Sequence, residues 1–175
     1  MPTWRLLMAR KRSFSPTPRR KRVWADSQIV DTGFAESALR SNNLLSGFIA
    51  AGGATQGVTV QRTIIDLVWT INESHTFADD LTIGLIKGTT ATADVADPVL
   101  EPYADWAFLK TTWSGNGHGL VAADAAMHVH VDTATMRKID EVGETWWLIV
   151  KGTAPQTASA TYDYYARVRT LLLLP

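Results

Sequence analysis

The chain contains no cysteine, which excludes a disulfide framework and any thiolate metal centre. It has no long apolar run either. Its longest fall far short of the about 20 residues that a membrane-crossing helix needs, so no membrane partner is expected. Trp4-Arg5-Leu6-Leu7-Met8 is too short for the apolar core of a signal peptide, and its charge sits on the wrong side. The glycine-rich stretch 47–57, GFIAAGGATQG, lacks the Lys-Ser/Thr ending and the glycine spacing of a phosphate-cradling loop, and reads as a plain connection. The last absence is local: no acid precedes Asp26.

That gap in acids coincides with a surplus of bases. Arg5 and the run RKRSFSPTPRRKR at residues 10–22 place eight cationic side chains before Val23. The whole chain is formally neutral, with 17 bases and 17 acids. The remainder therefore holds nine bases against every acid: a basic arm joined to an acidic body. Pro16 and Pro18 disfavour helix around them, the like charges repel, and only Phe14 offers apolar surface within that run. The composition predicts a disordered arm over residues 1–22 until a polyanion neutralises it. Nucleic acid is the polyanion that such an arm suits best, since lysine and arginine displace counterions from phosphates. The irregular spacing predicts binding without sequence preference, through Arg10, Lys11, Arg12, Arg19, Arg20, Lys21 and Arg22. A solubilising tail or a nuclear localisation signal has the same composition.

Residues 23–175 are predicted to form one domain. Period-two patterning and dense β-formers place strands at 23–34, 58–72, 81–87, 103–113, 125–132, 144–151 and 162–174. Ile65, Leu67, Trp69 and Ile71 share one face of the second of these; Arg62, Asp66 and Thr70 punctuate the other. Met127, Val129 and Val131 alternate with His128, His130 and Asp132. ETWWLIVK at 144–151 is apolar on both faces, as a central strand is. Its adjacent Trp146 and Trp147 must point to opposite sides, one to the core and one to a neighbouring subunit or a covering loop. Residues 36–45 could form a short helix, and 133–141 break the strand rhythm as a helical turn would. Residues 89–98 read as a polar loop of small residues. Seven to eight strands with little helix predict an all-β antiparallel sandwich, a single jelly roll being the favoured form.

Candidate chemistry is sparse. His128 and His130 share a strand face, and His118 could join them as a third metal ligand if its loop folds back. The plainer reading is that polar residues occupy an outer face. Ser114 lies near His118, but SGNGHG is no nucleophile elbow. Loop acids Asp79, Asp80, Asp94 and Asp97 lack the spacing of a calcium loop. Neither a metal site, a cofactor nor an enzyme is expected. Arg137 with Lys138, and Arg167 with Arg169, would extend the arm's basic surface if they face the arm's root; otherwise they are salt-bridge partners for the acids.

Several passages together resemble a known class: RKRSFSPTPRRKRVWADS at the start, VQRTIIDLVWTI, the Met136–Asp140 turn leading into ETWWLIVKG, and the closing YYARVRTLLLLP. An arginine-rich arm, a proline-containing hinge and one compact β domain resemble the single-jelly-roll capsid proteins of small icosahedral viruses. The likeness is nearest to those of small circular single-stranded DNA viruses and similar metagenomic viruses. The resemblance implies a self-assembling coat protein with strands forming the wall and the arm turned inward onto the packaged genome. It implies that the partners are copies of itself, in a shell of roughly sixty subunits, and single-stranded nucleic acid. It places the protein in the virion, and in the host cell interior, nucleus included, during assembly. The alternatives are a β-sandwich binding module for nucleic acid or carbohydrate, and a hydrolase built on His118, His128 and His130.

Overall fold

Alternating burial organises several of the long strands. In the computed structural model, which describes residues 20–35, 39–71, 80–89, 106–113, 126–153 and 161–175, Tyr164, Ala166, Val168, Thr170 and Leu172 are buried while Tyr165, Arg167 and Arg169 are exposed. Such a segment is stable only with its apolar side against a second layer. Eight strands are described: β1 (Arg22–Ala35), β2 (Leu39–Asn43), β3 (Thr59–Ile71), β4 (Asp80–Gly88), β5 (Phe108–Trp113), β6 (Ala126–Lys138), β7 (Thr145–Thr153) and β8 (Thr161–Leu173), with one helical turn, α1 (Ser46–Ala50).

The strands pair antiparallel as a folded ribbon: β1 with β8, β2 with β7, β3 with β6 and β4 with β5. Further pairing of β3 with β8 and of β4 with β7 closes two four-stranded sheets, ordered β1-β8-β3-β6 and β2-β7-β4-β5. This is the single jelly roll expected from the strand pattern. Between the sheets lies one core. Ile65, Leu67 and Trp69 of β3 and Val168 and Leu172 of β8 meet Leu81, Ile83 and Leu85 of β4 and Trp146, Leu148 and Val150 of β7. Each such side chain contributes about 1.5–3 kcal/mol by leaving water.

The outer faces of the two sheets differ. On the β2-β7-β4-β5 sheet, Ile86, Trp147 and Ile149 form a second cluster, covered by Leu39 and Trp106. Of the two expected coverings for Trp147, the intramolecular one is present, and the Trp147 indole N–H donates to the Gly88 carbonyl at 3.0 Å. Gly84 makes the cover possible, for a Cβ there would stand 2.4 Å from Cζ3 of Trp106. Gly84→Ala is therefore expected to lift Trp106 and cost about 1–3 kcal/mol, as overpacking does, read as a lowered urea midpoint. An unchanged midpoint would mean that Trp106 is not seated there.

Two local expectations are corrected. Residues 36–45 are not helical where described: Leu39–Asn43 is β2, and the helical turn falls at Ser46–Ala50, overlapping the start of the stretch 47–57 read as a loop. Side-chain bonds hold β2 extended. The Asn42 amide donates to the Tyr164 hydroxyl at 2.5 Å, and the Asn43 side-chain oxygen accepts from Leu45 N–H and the Thr145 hydroxyl. The segment 133–141 is no helical turn either, since β6 runs on to Lys138. A β-bulge lies within it, where Thr135 and Met136 are opposite Gln61, yet exposure keeps alternating, with Ala134, Met136 and Lys138 outward. Met136 there takes a left-handed φ of 47°. The loop read at 89–98 lies outside the described residues beyond Thr89, as do residues 103–105 of the strand read at 103–113. Among the described residues no helix is long and apolar enough to cross a membrane.

Candidate nucleic-acid interface

The arm enters the fold at an edge. Arg20, Lys21 and Arg22 are exposed, and Arg22 opens β1, the outermost strand of its sheet. Two antiparallel contacts anchor this point to the other chain end: Arg22 pairs with Leu173, and Leu174 N–H donates to the Lys21 carbonyl at 2.9 Å. Among the described residues, no acidic side chain forms an ion pair with Arg20, Lys21 or Arg22. Arg10, Lys11, Arg12 and Arg19 lie outside the described residues.

Beyond the root, the outer face of the β1-β8-β3-β6 sheet carries most of the other candidates. Parity along β1 sends Arg22, Trp24, Asp26, Gln28 and Val30 outward, all exposed. Across the sheet, Asp26 aligns with Arg169 and Ile64, and Gln28 with Arg167, Asp66 and His130. Arg167 donates to Asp26 at 2.7 Å. Arg62 grips Asp132 with two N–H groups, the Nε bond being 2.7 Å. Asp66 accepts from His130 Nδ1 at 2.6 Å and stands 4.0 Å from Arg169. The result is a lattice of opposite charges in which cross-strand neighbours neutralise one another.

The arginines act on the carboxyls directly. The hydrogen bond from Arg167 holds the Asp26 carboxyl below its ordinary value, and that from Arg62 does the same for Asp132. A depressed carboxylate adds stability that is present above its unfolded pKa and lost as pH falls through the folded one. These pairs therefore persist at neutral pH and dissolve only in acid. At a solvent-exposed face each adds little to stability, since water and salt screen it.

Arg167 and Arg169 thus share a sheet with the arm's root and also sit among acids. Lys138 is 2.8 Å from Asp140. Its neighbour Arg137 is half-buried on the other side of β6, so the two do not make a joint basic surface. His128 and His130 do lie outward together, as the alternation predicts. His118, Ser114, Asp79, Asp94 and Asp97 lie outside the described residues, and of Asp80 only the backbone is described. Replacing His128 and His130 with Ala is expected to change stability by only about 0.5 kcal/mol, the ordinary scale for exposed sites. Stoichiometric zinc in protein purified without added metal, absent from the double variant, would instead revive a metal centre.

One exposed residue escaped the sequence reading. Trp24 is 50% exposed, on the parity of Arg22 and Asp26. That parity was the available signal, since a strand with Asp26 and Gln28 outward must also turn Trp24 outward.

These features define a single jelly roll with a basic approach at its edge strand and a charge-balanced outer sheet. No family model matches the sequence, and no curated protein matches it. Among solved structures, the fold is similar to that of the Tobacco streak virus coat protein dimer, with TM-score 0.43 and 11% identity over 93% of this chain and 90% of that one. It is similar to the decameric BFDV capsid protein, with TM-score 0.42 and 10% identity over 90% and 100%. It is also similar to part of an α-L-arabinofuranosidase, with TM-score 0.44 and 12% identity over 83% of this chain and 23% of that one. Likenesses at this level leave function to the chain's own residues.

Proposed function

We propose that this chain is a structural shell subunit: a coat protein that assembles with copies of itself and holds a packaged single-stranded genome through its basic arm, without sequence preference. The jelly roll alone is common to capsid, lectin and cupin domains. The observation that favours a shell subunit is the division of charge. Eight cations with no acid among them lead into the first residue of an edge strand, while the body behind it carries 17 acids. An arm of this kind tethers a polyanion, and an acidic body does not compete for it. The role needs no catalytic machinery, and its place is the virion, with assembly inside the host cell. The arm's composition also suits entry into the nucleus.

Electron microscopy and light scattering of the purified full chain test this. The expected result is uniform particles of many subunits carrying host nucleic acid, seen as a raised ratio of absorbance at 260 to 280 nm. A nucleic-acid-free species near 19.2 kDa, or twice that, would identify a binding module instead.

A further inference from the structure

We propose that Trp24 is a stacking platform for an unpaired base, which makes the root of the arm a site selective for single-stranded over duplex nucleic acid. The inference rests on the arm's role as a nucleic-acid tether and adds to it the residue that touches a base. Phosphate contacts alone carry no preference for exposed bases. An indole does, because every unpaired base offers a π-face while a duplex keeps its faces stacked inside.

Three observations converge on this residue. Trp24 keeps half its surface open although the chain has a well-filled core, and indole is among the most costly groups to leave in water. It lies two residues beyond Arg22 on the same side of β1, about 7 Å away, a spacing comparable to one nucleotide's phosphate and base. It also sits on an edge strand, bordered on one side by half-buried Leu171 and, one strand further, by Arg62. The nearest acid on its own face, Asp26, is occupied by Arg167 at 2.7 Å. A strand gripped by Arg20, Lys21 and Arg22 would thus deliver its next base onto the indole. A protein occupant fits less well. A two-fold contact centred on Trp24 would bring together two sets of these three cations at like charge.

The test uses the full chain and fluorescence anisotropy of a labelled oligothymidine and of a duplex of equal length, from low to moderate salt. Trp24→Ala is expected to weaken oligothymidine binding at least about fivefold, the lower end of what one stacked base contributes. Duplex affinity and the salt slope should stay as in the parent, and Trp24→Phe should recover part of the loss. Circular dichroism of both variants should match the parent, as an exposed position permits. Unchanged oligothymidine affinity in Trp24→Ala overturns the platform while leaving the arm's tether intact. So does an assembly defect in nucleic-acid-free protein with unchanged affinity, which would make Trp24 a subunit contact. A parent that binds neither probe at low salt overturns the tether itself.

Discussion

Cutting the chain after Arg20 is expected to remove most nucleic-acid binding and leave the β domain folded. The cut takes six of the eight arm cations, Arg5, Arg10, Lys11, Arg12, Arg19 and Arg20. It spares Lys21, whose carbonyl accepts the Leu174 N–H, and Arg22, which opens the β1–β8 ladder. Eight cations on a single strand give a log–log salt slope of at most about −5 to −6, at about −0.7 per neutralised phosphate. Two remaining cations leave about −1 to −1.5. Affinity at low salt should therefore fall by orders of magnitude. The circular dichroism spectrum and melting temperature should hold, because among the described residues the core is drawn from positions beyond the arm. In particle preparations the same cut should yield empty, fewer or misassembled shells with a lowered 260-to-280 nm ratio. A truncated protein that binds with the parent's full slope would move the site onto the body, to Arg137, Lys138, Arg167 and Arg169. That outcome would require cations now facing Asp26, Asp66 and Asp140 to exchange carboxylates for phosphates.

Trp146→Ala is expected to be the most damaging single change in the domain. The side chain is fully buried between the sheets, and its indole N–H donates at 3.1 Å to the hydroxyl of Thr63, itself fully buried. Truncation empties an indole-sized volume that two paired sheets cannot easily collapse into, and it strips Thr63 of its donor. The cost should be about 3–5 kcal/mol, out of the about 5–15 kcal/mol that holds a typical domain together. Urea denaturation would read it directly. Trp147→Ala should cost less. Its cluster is small, lies on the outer side of the sheet and is closed by Trp106 and Leu39 rather than by a second sheet. Equal losses from the two variants would mean that the outer cluster carries as much of the fold as the core, against the burial seen here.

Much of this architecture is legible along the chain, for a definite reason. A strand with one wet and one dry face must alternate. The segments that alternate most clearly, at Ile65-Leu67-Trp69 and at Val129 and Val131 against His128 and His130, take the faces their parity predicts. ETWWLIVK breaks the alternation because both sides of β7 are covered, and that too reads correctly as a central position. The segments that mislead are those whose conformation is imposed by partners. LRSNN at 39–43 has neither strand period nor strong β-formers. It is extended because β7 accepts it as an edge and Asn42 and Asn43 bond to Tyr164 and Thr145. Thr133–Lys138 reads as a break because its residue types do not follow its burial: Ala134 and Met136 face outward while Thr133, Thr135 and Arg137 turn inward, although exposure itself keeps alternating. Only the facing β3, with the Val60 carbonyl accepting from the Thr135 hydroxyl, keeps it in the sheet.

The candidate site divides along the same line. The sequence by itself determined the segregation of charge, because net charge is additive along a chain and needs no fold. Eight bases ahead of the first acid make a cationic arm whatever follows. It also determined that the body would be a β-sandwich, because burial parity is a local property of neighbouring residues. Which charges remain available was decided by the tertiary structure alone. Arg167 meets Asp26 across 141 residues of chain, and Arg62 meets Asp132 across 70. Those distances close only when β1, β8, β3 and β6 lie side by side in register. The same register leaves Trp24 beside Leu171 on an open edge rather than in the core. Pair energies fall off over a few ångströms, so the difference between a neutralised arginine and one free to bind phosphate lies in strand order, which no local pattern encodes.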